Sequence, residues 1–278
     1  VIVNLLVEAM SKVTGVPQSA VQMIETRAEV VDMLKEEKHI HLIVPRGSNA
    51  FVKYIQENTK IPVLGHSEGV CHGYIDQFAD LDMAIRLCLD AKLQYPAVCN
   101  AMETLLVHKN FAEKVLPDLV EKFREKQVEL VGCIKTCKVT PEVSPACESD
   151  WDLEYNDLKL SIKIVDGFSE AVKFINKHGS GHTDMIVTEN RERAEQFLNE
   201  VSSANVMWNA STRFADGFKY GLGAEIGIST NRTHARGPVG LEGMVIYKYK
   251  LYGNGQIVAD YSGDNAREFT HKPLIPPL

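Results

Sequence analysis

The stretch Tyr95-Pro-Ala-Val-Cys-Asn-Ala-Met-Glu-Thr104 sets one thiol, Cys99, between a proline-stiffened entry and an apolar run. A thiolate attacks acyl carbon well, so Cys99, with Asn100 beside it, reads as a candidate nucleophile on a chain that Pro96 holds. The same position suits a small buried hydrophobe, the usual behaviour of a free cysteine. The segment alone leaves both readings open.

Other polar groups are placed where chemistry is feasible. Arg46-Gly47-Ser48 follows an apolar run and opens a helical pattern, where free amides and the helix dipole favour an anion. Helix capping alone explains such a turn equally well. His66, in Gly65-His66-Ser67-Glu68-Gly69, can polarise a substrate or bond a loop backbone. The glycine-rich stretch 209–243 has almost no periodicity yet holds Asn209, Ser211, Thr212, Arg213, Glu225, His234 and Arg236. Long loops of this kind inside a compact chain are functional or disordered. A cysteine protease built from Cys99 with His66 or His182 has no support beyond the coexistence of those residues. Cys133, Cys137 and Cys147 lack the paired spacing of a structural zinc site, so no metal is expected.

The elements that must position these groups alternate. An amphipathic helix from the N-terminus ends at Gly15 and Pro17, a short strand is expected over 20–24, a helix over 28–37, and a continuous apolar strand over 39–44. After the Arg46 turn come a helix with Phe51, Val52 and Ile55, a strand over 61–64, a strand over 70–75 and a helix from Asp80 to about Ala91. A strand over 103–107 and a surface helix over 111–126 follow Cys99. Residues 132–150 read as an irregular, variable excursion. A second run of strands (160–165, 184–187, 205–208) and helices (169–177, 191–199) precedes the glycine loops. Such alternation implies an α/β chain with open, mainly parallel sheets. Residues 244–251 and 257–261 flank Gly253-Asn254-Gly255-Gln256 and read as a β-hairpin. A hairpin is marginal alone, so it is expected to add to a sheet of this or another subunit.

Bulk properties exclude several classes. The chain has 278 residues, 45% of them apolar, and a net charge of −7 with scattered cations, so neither nucleic acid nor an anionic membrane is an expected partner. There is no run of 18 apolar residues, and the first residues show neither a cationic start nor a cleavage site, so neither export nor membrane spanning is expected. Six cysteines are too sparse for a disulfide scaffold and point to a reducing, cytoplasmic setting.

Longer motifs carry a resemblance. Val44-Pro-Arg-Gly-Ser-Asn49, Pro62-Val-Leu-Gly-His-Ser-Glu-Gly69, the Cys99 stretch, His178-Gly-Ser-Gly-His-Thr-Asp184, Trp208-Asn-Ala-Ser-Thr-Arg-Phe-Ala-Asp-Gly217, Gly221-Leu-Gly-Ala-Glu-Ile-Gly-Ile-Ser-Thr230 and His234-Ala-Arg-Gly-Pro-Val-Gly240 occur in order along the chain. Together they resemble the γ-glutamyl phosphate reductases, or glutamate-5-semialdehyde dehydrogenases, of proline biosynthesis, within the aldehyde dehydrogenase superfamily. The resemblance implies two open α/β domains: 1–65 as the end of an NADPH-binding domain and 66–240 as a catalytic domain. Residues 241–278 would supply an oligomerisation hairpin and tail.

The resemblance also implies roles. Cys99 would expel phosphate from γ-glutamyl phosphate and hold the acyl group as a thioester, which NADPH reduces to glutamate 5-semialdehyde. His66 falls where aldehyde-oxidising relatives carry a glutamate base, with Glu68 two residues on, and loss of that base favours reduction over hydrolysis. Arg46, Gly47 and Ser48 would lie beside the dinucleotide and Glu154 would hold the nicotinamide ribose. Ser211, Thr212, Arg213, His234 and Arg236 offer the donors and cations that a carboxylate and a phosphate need. A homodimer or higher homo-oligomer and functional coupling to glutamate 5-kinase are implied too. Family members have well over a hundred residues before the point that matches Val1, so a chain beginning there is expected to bind cofactor poorly. The alternatives are an assembly module without activity and a general aldehyde dehydrogenase.

Overall fold

A computed structural model describes residues 1–66 and 68–272; Ser67, inside the motif that contains His66, and positions 273–278 of the tail lie outside the described residues. Two compact units divide at Met244 and Val245.

In the first unit α1 (Ile2–Ser11), α2 (Arg27–Met33) and α3 (Asn49–Asn58) precede the main sheet. Next come β1 (Cys71–Ile75), α4 (Leu81–Leu93), β2 (Met102–His108), α5 (Lys109–Glu125) and β3 (Glu129–Gly132). The chain continues with α6 (Ile134–Val139), β4 (Ser144–Pro145), β5 (Lys159–Val165), α7 (Phe168–His178), β6 (Thr183–Val187), α8 (Arg191–Glu200) and β7 (Asn205–Trp208). A small antiparallel pair, β8 (Gly227–Ser229) and β9 (Gly237–Val239), follows.

The seven strands β1–β7 form one sheet in the order β4-β3-β5-β2-β1-β6-β7, every pair parallel. Strands β1, β2 and β6 are buried at every residue, which is why they show no apolar-polar alternation, and they bury polar residues such as His72, Glu103 and Asp184 as well. Adjacent residues serve opposite faces. Leu105 packs with α4 and α5, whereas Leu106 joins Tyr74, Phe168 and Phe197 beneath α7 and α8. Short polar side chains start the helices: Asp80 accepts from the Met83 amide at 2.8 Å and Asn190 from the Arg193 amide at 3.0 Å.

The α/β alternation from β1 to β7 follows the sequence reading, and five local expectations fail. The strand expected over 20–24 is absent: Gln18–Ala20 is a 3-10 turn, and the Glu25 and Thr26 amides bond the Glu29 carboxylate, capping α2 instead of joining a ladder. The strands expected over 39–44 and 61–64 reduce to one parallel bridge, Ile43 to Val63, because only the Ile43 and Leu64 amides find carbonyl partners across it. Residues 132–150 are ordered, with α6 and β4 extending the sheet edge and buried Thr136 donating to the Ile162 carbonyl at 3.0 Å. The C-terminal hairpin does not form among the described residues. Ile246, Tyr249 and Leu251 are more than 90% exposed, and a two-stranded ribbon with no apolar face to cover is not self-supporting. The second unit instead contains a 3-10 turn, Val258–Tyr261, and a stacked Tyr261–Phe269 pair.

Candidate active site

Three neighbouring strands at the centre of the sheet, β2, β1 and β6, are each preceded by a residue able to do chemistry. Cys99 lies just before β2, His66 in the segment entering β1, and His182 immediately before β6. Because the strands are parallel neighbours, these residues converge at the amino edge of the sheet. One ligand-type atom from each lies within 4.8 Å of the others.

The Cys99 turn is fixed from several sides. The Ala101 amide donates to the Val98 carbonyl at 2.8 Å, and the Cys71 thiol donates to the Cys99 carbonyl at 3.1 Å. A methyl on Gly69 would fall 2.2 Å from that carbonyl oxygen and 2.5 Å from the Cys99 Cα, so only a residue without Cβ allows this approach. Four residues beyond Cys99, buried Glu103 accepts from Lys92 Nζ at 2.6 Å.

The glycine-rich loop closes over this turn. Asn100 Nδ2 donates to the Ala215 carbonyl at 2.9 Å, so its amide tethers the loop. Arg213 Nε donates to Gln94 Oε1 at 2.9 Å at the end of α4, and the Ser211 hydroxyl accepts from the Arg213 amide. Ser211 and Thr212 are buried, and Thr212 Oγ1 has no hydrogen-bond partner among the described residues.

Electrostatics at Cys99 are divided. Burial, then the charges of Glu154 and Glu225, push the thiol up to about 11, against its own backbone amide and the Arg213 guanidinium. The resting group is therefore a thiol, and a base must take its proton before it can attack. His66 Nδ1 stands 2.8 Å from the Ile228 carbonyl, which only accepts, so Nδ1 carries the proton and Nε2 keeps a lone pair. Burial, then the neighbouring His66, pushes His182 down to about 3 and makes it a poor base.

Arg46, Gly47, His66 and Glu154 line one cavity of about 150 Å³, together with Ile226 and Gly227. Arg46 Nη2 donates to the Ile226 carbonyl at 2.7 Å, and Ser48 caps α3 through the Phe51 amide. Three of the four residues expected at the cofactor thus share a cavity with His66, while Ser48 serves the helix. His234 and Arg236 are exposed, and Arg236 bonds the Ser202 carbonyl beside Gly181. The sequence pairs His182 with Cys99 only in the unsupported protease reading and gives Cys71 and Gly69 no part in the cluster. Their only sequence signals are the Gly179-Ser-Gly-His-Thr183 turn and the final glycine of the His66 loop.

The aldehyde dehydrogenase family matches residues 1–149, more than half of the chain. This chain belongs to the aldehyde dehydrogenase family. It is 56% identical over 274 residues to a γ-glutamyl phosphate reductase of Acetivibrio thermocellus, covering 99% of this chain and 63% of that protein. It is also 56% identical over 279 residues to one of Methanococcoides burtonii, covering 99% and 62%. The crystal structure of the γ-glutamyl phosphate reductase of Thermotoga maritima superposes with a TM-score of 0.89 at 43% identity, covering 92% of this chain and 62% of that one. The chain therefore spans about 62–63% of the length of these relatives. No described helix is long and apolar enough to cross a membrane.

Proposed function

We propose that the chain carries the thiol chemistry of a γ-glutamyl phosphate reductase, with 1–65 contributing to the cofactor site and 66–240 forming the catalytic domain. The observation that carries this reading is the convergence of Cys99, His66 and His182 at the starts of three adjacent strands, with the Arg213 loop tied to Gln94 beside them, in a chain 56% identical to proteins of that name.

His66 Nε2 takes the Cys99 proton. The sulfur then bonds the acyl carbon of γ-glutamyl phosphate, the carbon–oxygen bond to phosphate breaks, and phosphate leaves with the electron pair, placing a thioester on Cys99. Arg213, which already bears on the Cys99 charge, lies on the loop that would meet the anionic substrate, with buried Ser211 and Thr212 supplying hydroxyl donors and exposed Arg236 and His234 completing the cationic face.

The cavity suits part of a nicotinamide dinucleotide. It offers the Glu154 carboxylate for sugar hydroxyls, the Arg46 guanidinium for phosphate, and the first-turn amides of α3 beyond Gly47. When bound, NADPH supplies the hydride that converts the acyl group to an aldehyde. Cys99 leaves as a thiolate, and the proton on His66 restores the thiol. Loss of the glutamate base that aldehyde-oxidising relatives carry at the place of His66 favours this outcome over hydrolysis. The exposed apolar residues Ile246, Tyr249 and Leu251 support self-association of the chain through its second unit.

The test uses glutamate 5-semialdehyde, NADP and inorganic phosphate, following NADPH formation by this chain and by Cys99→Ala. Phosphate-dependent turnover that the substitution abolishes is expected. Turnover retained in Cys99→Ala, or none in the unsubstituted chain, overturns the proposal for this chain.

A further inference from the structure

We infer that His66, Cys99 and His182 form a binding site for a thiophilic divalent cation of the zinc type, one that holds the thiol in an inactive state. One ring nitrogen of each histidine and the Cys99 sulfur lie within 4.8 Å of one another. Tetrahedral zinc, with bonds of about 2.0 Å to nitrogen and 2.3 Å to sulfur, spaces such ligand atoms about 3.3–3.6 Å apart. The three side chains need to close by roughly an ångström to reach that spacing.

The two imidazoles are prepared for such an ion. His66 donates through Nδ1 to the Ile228 carbonyl, the outer bond that commonly orients a metal-bound imidazole, and this leaves the Nε2 lone pair free. The His182 ring is fully buried with Nδ1 beside the Thr183 hydroxyl at 2.8 Å, and its Nε2 has no hydrogen-bond partner among the described residues. A buried ring nitrogen without a partner is costly, and coordination would satisfy it. The rings meet edge to face at 4.8 Å between centroids, so both lie against the same small space.

Charge and softness select the ion. Glu154 and Glu225, whose negative charge disfavours the Cys99 thiolate, make a cation welcome there, with Arg213 opposing them. One thiolate and two imidazoles suit zinc far better than magnesium or calcium, and three protein ligands leave a fourth position for water. Binding exchanges the Cys99 proton, released to solvent, for a sulfur–metal bond; no electrons are transferred. Inhibition by the ion rests on Cys99 being the nucleophile proposed above, whereas binding does not, so the test reads binding without substrate or cofactor.

The experiment measures alkylation of Cys99 by iodoacetamide, read by peptide mass spectrometry, with and without one equivalent of Zn²⁺. Exposed Cys147 in the same sample serves as the internal control. Zinc is expected to slow labelling of Cys99 by about tenfold or more, chelation to reverse this, and the zinc-dependent ratio to fall towards one in His66→Gln and His182→Asn. His66 is only partly buried, so His66→Gln remains informative if the His182 variant fails to fold. Equal labelling of Cys99 with and without zinc, or protection that persists in His66→Gln, overturns the proposal.

Discussion

Gly69 and Cys99 pass each other with no room for a methyl group: a Cβ on Gly69 would lie 2.2 Å from the Cys99 carbonyl oxygen and 2.5 Å from its Cα. Both sides of the contact are backbone, so no flexible side chain can move aside. The entry to β1 therefore sets the position of the thiol before β2. Gly69→Ala is expected to displace the Cys99 turn, costing about 1–3 kcal/mol of stability through overpacking. A displacement near 1 Å would lower turnover about a hundredfold. Urea unfolding together with the semialdehyde assay checks this, and a Gly69→Ala chain with unchanged activity would show that the turn position is not critical.

Arg213 favours the charged form of Cys99, while burial, Glu154 and Glu225 oppose it. Removing the guanidinium in Arg213→Gln should therefore push the thiol further up from about 11. The pH profile of Cys99 alkylation should shift towards higher pH, with slower labelling at every pH below the new midpoint. Arg213→Lys keeps the charge but loses the fork that meets Gln94, so an intermediate profile is expected.

Much of this arrangement was legible in the chain. The strands expected over 70–75, 103–107 and 184–187 become β1, β2 and β6 although buried His72, Glu103 and Asp184 interrupt their apolar residues, and Cys99 was marked by its proline-stiffened entry. Strand order was not legible. His182 lies 83 positions beyond Cys99 and reaches it only because β6 inserts beside β1, a fact of topology with no local signature. The cost of a Cβ at Gly69 is equally non-local. Errors clustered where local pattern lacks tertiary support. After 20–24 a capping box takes the Glu25 and Thr26 amides, and within 244–261 the alternating residues Ile246, Tyr249 and Leu251 stay exposed. Asn100 shows a subtler limit: its type suits catalysis, but its amide is engaged by the Ala215 carbonyl, a partner 115 residues away.

Lys92 and Glu103 form a fully buried pair at 2.6 Å beneath the start of β2. Burial raises Glu103 to about 7 against the pull of Lys92, and burial lowers Lys92 against the pull of Glu103. Removing one partner leaves an uncompensated buried group. Lys92→Met or Glu103→Leu alone should each cost about 3–5 kcal/mol, while Lys92→Met with Glu103→Leu should recover most of that loss. A double-mutant cycle in urea measures the coupling, and additive single losses would mean that the pair contributes no specific interaction.

His182 makes the fold sensitive to acid in a calculable direction. Its folded value is near 3 and its ordinary value 6.5, so the folded chain keeps it neutral while the unfolded chain takes up a proton as pH falls. The stability it contributes is fully present above pH 6.5 and is lost progressively as pH drops towards 3. Between pH 7.5 and 5 the expected loss is about 2 kcal/mol, at about 1.4 kcal/mol per pH unit below the unfolded value. Unfolding in urea at the two pH values measures it, and His182→Gln isolates it: the variant is less stable at pH 7.5, but its decline towards pH 5 should be smaller by that same amount. A variant that declines as steeply as the unsubstituted chain would move the acid sensitivity to other groups. His66 shares the cluster, so His66→Gln is the second arm. By removing a neighbour that disfavours the charged form of His182, it should raise the folded value of His182, so the decline should level off at a higher pH while the loss between pH 7.5 and 5, set by the unfolded value, stays the same.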